Sequence, residues 1–146
     1  MKRICLLIVM LGTLWPAVAQ KNSRIGEVLD ELRRHPNATE VVVKGKELKP
    51  YKLSYFRSVT VNPRHADLGS ILRLVKEASD KAMDKEEGLL GGELYYGFYC
   101  LPPVKEQNRY LFYRNATLKK GTPRSEVTLV YMEGYATLEQ LKEMFR

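Results

Sequence analysis

Three runs of strand-forming residues crowd the stretch between Gly91 and Gly134, and any fold of this chain has to place them first. Leu94–Leu101, Arg109–Ala116 and Glu126–Glu133 are rich in Tyr, Phe, Leu and Val, the side chains that suit a pleated, half-buried surface. Pro102-Pro103 breaks the first run from the second, and the Lys119–Pro123 segment breaks the second from the third. Connections this short join antiparallel neighbours, because a parallel pairing needs a crossover of about a dozen residues. A three-stranded antiparallel meander is therefore expected. Alternation along the strands sets Leu94, Tyr96, Phe98 and Cys100 on one face, with Tyr95, Tyr99 and Leu101 on the other. The second strand divides into Leu111 and Tyr113 against Tyr110 and Phe112. Neither face is polar. Either both are covered, or one presents tyrosines to solvent as a binding surface.

Around this meander the periodicity predicts helices and two further strands. Ile25, Val28, Leu29 and Leu32 share a helical face, and Pro36 ends that helix. The β-branched Val41-Val42-Val43 core predicts a strand over 40–44, and 45–52 reads as a loop or short helical turn. A strand over 55–61 turns Tyr55, Val59 and Val61 to one side. The longest helix is expected over 63–84, with a stripe of Leu68, Ile71, Leu72, Val75, Ala78 and Ala82, stopped by Gly88 and Gly91-Gly92. Its polar face offers a Glu77–Lys81 pair. Thr137 and Gln140 form a capping-box pattern for a last helix, whose Leu138, Leu141 and Phe145 lie on one side. The expected architecture is a two-layer α+β domain, a mostly antiparallel sheet with its helices on one face.

The first residues read as an address. Lys2 and Arg3 precede an apolar run at 4–15, and Ala17-Val18-Ala19 gives a cleavage pattern before Gln20. The run is short against the roughly 20 residues that span a bilayer. The division expected is a signal peptide at 1–19 and a single domain at 20–146, placing the protein in the periplasm or on the outer surface. Removing Lys2 and Arg3 lowers the 24 cationic side chains to 22 against 17 anionic, a net charge of +5. That excess bears on attraction to polyanions, not on fold. Cys5 leaves with the leader, so Cys100 has no partner for a disulfide and suits a small buried hydrophobe better than a nucleophile.

No catalytic motif stands out. His35 and His65 lack metal-ligand spacing. Asp80, Asp84 and Glu87 recur at helical spacing but are interleaved with Lys81 and Lys85, which reads as a solvated helix end. Gly91-Gly92 is a turn and not a phosphate loop. Asn37 and Asn115 each head an N-glycosylation triplet. The candidate interaction surface is Tyr95, Tyr99, Tyr110 and Tyr113, with the cations Lys119, Lys120 and Arg124 at the turn. No catalytic, cofactor-binding or metal-binding residue is assigned.

The leader ending in AVAQ, the segment IGEVLDELRRHPNATEVVV and the ending VTLVYMEGYATLEQLKEMF resemble small exported α+β domains of unknown function from Bacteroidetes-type bacteria. The resemblance implies export and an α+β fold, and it supplies no catalytic residue. The function expected is a non-enzymatic binding or protein-interaction module whose partner is another envelope protein, with no nucleic acid and no cofactor. An enzyme of unrecognised type and a membrane-surface or polyanion-binding module are the alternatives.

Overall fold

A computed structural model describes residues 23–63, 68–119 and 126–144. The chain runs through α1 (Ser23–Arg33), β1 (Thr39–Lys44), a 3-10 segment (Gly45–Tyr51), β2 (Leu53–Val61) and α2 (Leu68–Lys81). It continues with β3 (Asp84–Leu90), β4 (Glu93–Val104), β5 (Gln107–Asn115), β6 (Val127–Gly134) and α3 (Leu138–Met144). The six strands form one antiparallel sheet in the order β1-β2-β6-β5-β4-β3. The fold is α+β, with the expected meander at β4-β5-β6 and a hairpin partner, β3, added before it.

Strand β3 occupies residues expected to end the long helix. Asp84 and Glu87 therefore do not lie on a helical face with Asp80; they sit on an edge strand paired with Cys100 and Gly97. The Gly91-Gly92 pair makes the β3–β4 turn, with φ of 60° and 84° that glycine adopts without steric cost. The β4–β5 reversal is not at the prolines. Pro102 and Pro103 belong to β4, where the register slips between Leu101 and Val104, and the turn falls on Lys105 and Glu106. Proline is tolerated there because the slipped ladder asks no hydrogen bond of it, and β3 ends its pairing at Cys100.

Both faces of the sheet are covered, by different elements. On one face α1 contributes Ile25, Val28, Leu29 and Leu32, and α2 contributes Ile71, Leu74, Val75 and Ala78. They pack on Val59, Val61, Tyr99, Leu101, Leu111, Tyr113, Val127, Leu129 and Tyr131. Leu72, assigned to the apolar stripe of α2 by its spacing, is exposed, and Leu74 takes its place. Glu77 pairs with Arg24 of α1 at 2.9 Å in place of Lys81. Arg57 of β2 ties this layer to the sheet edge, holding Asp30 at 2.7 Å and Glu40 at 2.8 Å.

The opposite face buries Phe98, Tyr110, Phe112, Val130 and Met132 beneath Leu48 of the 3-10 segment and Leu141 of α3. The expectation that all helices share one face thus fails for α3. The physical reason lies in its entry. Gly134 runs against the β2 backbone, and the N–H groups of Tyr135 and Ala136 both donate to the Lys52 carbonyl, at 2.8 and 2.9 Å. The Ala136 carbonyl accepts from the Tyr110 hydroxyl at 2.6 Å and from Asn108 at 3.1 Å, which commits the chain to the Tyr110 side. The capping box then forms as expected, Thr137 N–H to Gln140 Oε1 at 2.9 Å and Gln140 N–H to Thr137 Oγ1 at 3.2 Å. Phe145 lies outside the described residues.

Buried tyrosines occur in both layers. Tyr99, Tyr110 and Tyr113 are at most 1 % exposed. Tyr99 folds back over Gly97, where a β-carbon would collide with its ring, and donates to Glu87 at 2.7 Å. Burial raises the phenol pKa of Tyr99, Tyr113 and Tyr131 and pushes Tyr110 up to about 12; hydrogen bonding to Glu87 and Glu133 adds to the rise at Tyr99 and Tyr131. A phenol whose folded pKa exceeds its unfolded value of 10.0 stabilises the fold fully below pH 10, and that contribution is lost as pH rises through the folded value. The melting temperature is expected to fall steeply above pH 10, with the buried tyrosinate absorbance appearing together with the loss of circular dichroism. Full tyrosinate absorbance in a chain that keeps its dichroism would contradict the burial.

Candidate functional site

The candidate interaction residues separate once they are placed. Tyr99, Tyr110 and Tyr113, expected on a surface, are core residues, because both sheet faces that they reach are roofed by helices. Tyr95 is half-buried and Lys119 exposed, while Lys120 and Arg124 lie outside the described residues. Cys100 is half-buried beside α3's layer, where burial, reinforced by the Asp84 charge, pushes its thiol up and disfavours the thiolate. His35 closes α1 on the other side of the sheet, and His65 lies outside the described residues. Among the described residues no three His, Cys, Asp or Glu side chains are grouped to hold a metal ion. Asn115 is buried, its amide oxygen accepting from the N–H and hydroxyl of Thr117, so it is engaged in the turn after β5.

The fold leaves a groove open beside α3, on the face that this short helix only partly covers. Its volume is about 420 Å3, and Glu86, Tyr95, Tyr96, Phe98, Phe112, Arg114 and Lys142 line it. A local irregularity builds one wall. The register of β3 on β4 slips between Gly88 and Leu89, so that Tyr95 is an extra residue in β4. The slip moves Tyr95 across to the α3 side, beside Tyr96, and sends Leu94 to the α1–α2 side, reversing their expected faces. The two rings meet edge to face with centroids 6.2 Å apart. Tyr96 lies across Gly88, and a β-carbon at that glycine would occupy the ring's place.

The floor is aromatic. Phe98 meets Phe112 at 5.5 Å and Tyr110 at 6.3 Å, both edge to face. Two cations stand over this floor in different states. Arg114 is exposed, and its guanidinium carbon lies 5.3 Å from the centre of the Phe112 ring. Among the described residues it has no ion-pair partner. Lys142 is already held by Glu86 at 3.2 Å and Glu139 at 3.5 Å, and the Glu86 hydrogen bond raises its pKa. Of the lining residues the candidate surface contains Tyr95 and lacks Tyr96, Arg114, Lys142 and Glu86. The available signal was Phe112-x-Arg114, two residues on one face of a strand. Glu86 was hidden with the rest of β3.

No helix among the described residues is long and apolar enough to cross a membrane. Nothing matches the chain among curated proteins, and nothing matches it among solved structures. A family model does match it, over residues 13–145, which is nearly its whole length. The chain belongs to that family, the family of unknown function DUF6108.

Proposed function

We propose that the protein is an exported, non-enzymatic binding module, resident in the periplasm or on the outer surface, whose ligand site is the groove beside α3. The observation that carries the reading is Arg114, a cation resting on an aromatic ring at the lip of a groove, with no carboxylate of its own among the described residues. Such a guanidinium binds a carboxylate through two parallel hydrogen bonds, and the tyrosine and phenylalanine rings accept the flat apolar face of a sugar ring. The groove volume falls in the range that small ligands fill. The ligand class that fits is an acidic saccharide, or a small carboxylate of similar shape, displayed on an envelope partner. The basic net charge favours its approach.

Calorimetric titration with a short oligogalacturonate and with its neutral counterpart tests this. The acidic sugar is expected to bind and the neutral one to bind at least tenfold more weakly. Arg114→Ala is expected to weaken the acidic sugar by about tenfold or more, the loss of one charge-assisted contact of about 1.5–3 kcal/mol. Failure of the acidic sugar to bind would overturn the ligand class. Equal binding by the Arg114→Ala variant would mean that the sugar binds away from this groove. Export is checked by sequencing the N-terminus of protein recovered from the cell envelope: Gln20 is expected first, and a retained leader would contradict cleavage.

A further inference from the structure

The two edges of the sheet are built differently. β3 presents Asp84, Lys85, Glu86 and Glu87 in succession and carries the register slip against β4, features that discourage pairing with another chain. β1 has no such slip, and its charges, Glu40 and Lys44, flank an uncharged Val41–Val43 centre. It pairs with β2 in unbroken register from Thr39 to Lys44, contains no proline, and exposes Val41 at 47 % and Val42 at 43 %. Among the described residues nothing pairs with its outer side. We propose that this edge joins two copies of the chain, β1 against β1, into one continuous sheet of twelve strands.

Symmetry and charge fix the register. A two-fold axis perpendicular to the sheet keeps each face continuous with its counterpart, so residues opposite one another must share a face. Centring the axis on Val42 sets Val42 opposite Val42 of the partner subunit, Val41 opposite Val43, and Glu40 opposite Lys44. Shifting the centre to Val41 would face Glu40 with a valine and lose the opposite-charge pair. Lys44 is exposed and has no ion pair among the described residues, whereas Glu40 already meets Arg57 and Arg33, with its side chain 23 % exposed. The chosen register therefore gives Lys44 a partner.

The neighbouring surface agrees. On the α3 side, Val43 lines a second groove of about 400 Å3 whose other walls are Leu48, Tyr51, Leu53, Phe56, Met144 and the chain at Glu47. The pairing brings Val41 of each copy beside Val43 of the other, extending that apolar wall across the axis. A five-residue ladder is short, so the dimer forms reversibly with concentration.

Sedimentation velocity over a concentration series is expected to show a monomer–dimer equilibrium. Val42→Lys, which sets like charges on the axis, is expected to weaken it at least tenfold without lowering the melting temperature, since the side chain is exposed. In a Cys5→Ser, Cys100→Ser background, Val42→Cys is expected to give a disulfide-linked dimer on mild oxidation and Val41→Cys far less. A monomer at every concentration, a dimer indifferent to Val42→Lys, or equal cross-linking from both positions would each overturn the proposal. A monomer that instead takes a strand from another protein would do so too.

Discussion

A chain ending at Ala136 is expected to melt on the order of 10 °C below the full protein. The truncation removes α3, whose Leu141 is fully buried and whose Leu138 packs beside it. A buried leucine stabilises by about 1.5–3 kcal/mol. Phe98, Tyr110 and Phe112 would also be left without their cover on that face. Against a net stability of about 5–15 kcal/mol for an ordinary domain, the loss is a large fraction. Thermal unfolding of the two chains decides the matter. An unchanged melting temperature would mean that α3 rests on the sheet without stabilising it. The groove would then lack a firm wall, because Lys142 reaches Glu86 from this helix.

The second large effect is expected from Gly134→Ala. A β-carbon built at Gly134 lies 2.5 Å from Leu53 Cα and 2.6 Å from the Lys52 carbonyl oxygen, which are backbone atoms that no rotamer can move aside. Accommodating it requires β2 and β6 to separate, or the Lys52 carbonyl to lose the Tyr135 and Ala136 N–H groups. Overpacking of this kind together with weakened hydrogen bonds is expected to cost on the order of 3 kcal/mol. Gly26→Ala supplies the internal control. It lies in α1 with nothing within 4 Å of the added carbon, and alanine in place of a helical glycine stabilises by about 0.5–1 kcal/mol. Denaturant midpoints that move in opposite directions for the two variants would support the packing. A Gly134→Ala protein as stable as the parent would contradict the close approach.

The parts of this fold that were legible in the sequence are those where a single periodicity decides. Val127, Leu129 and Tyr131 alternate and do share a face, as do Leu111 and Tyr113, because β5 and β6 pair without interruption from Asn108–Gly134 to Asn115–Val127. Ile25, Val28, Leu29 and Leu32 likewise make the buried side of α1. Legibility ends where tertiary pairing overrides local pattern. β3 reads Asp-Lys-Glu-Glu-Gly-Leu-Leu, a composition that local preference assigns to a helix end, and it is a strand because β4 offers it a partner. The slip that makes Tyr95 an extra residue inverts the faces of Leu94 and Tyr95, and alternation alone carries no sign of it. The side taken by α3 was illegible for another reason. Both sheet faces are apolar, so the helix's own spacing fits either, and the choice rests on Lys52, Asn108 and Tyr110 holding the backbone of Tyr135 and Ala136.

The groove was hidden by the same causes. Of its lining residues, Glu86 belongs to the unexpected strand, Tyr95 sits at the register slip and Lys142 comes from the helix on the unexpected face. Alternation does set Tyr96 with Phe98, and Phe112 with Arg114, on shared strand faces. The division of labour between the faces follows from their covers. Two longer helices cover one side and leave clefts of about 180 Å3 there, whereas a helix of 7 residues and a 3-10 segment leave larger aromatic surface accessible on the other.

If ligand binds only on the α3 side, a nuclear magnetic resonance titration of the folded protein with the acidic oligosaccharide will locate it there. The expected result is saturable shifts at the amides of Tyr95, Tyr96, Arg114 and Lys142, with α1 and α2 unmoved. Saturable shifts on the helices of the opposite face, or none anywhere at millimolar sugar, would contradict it.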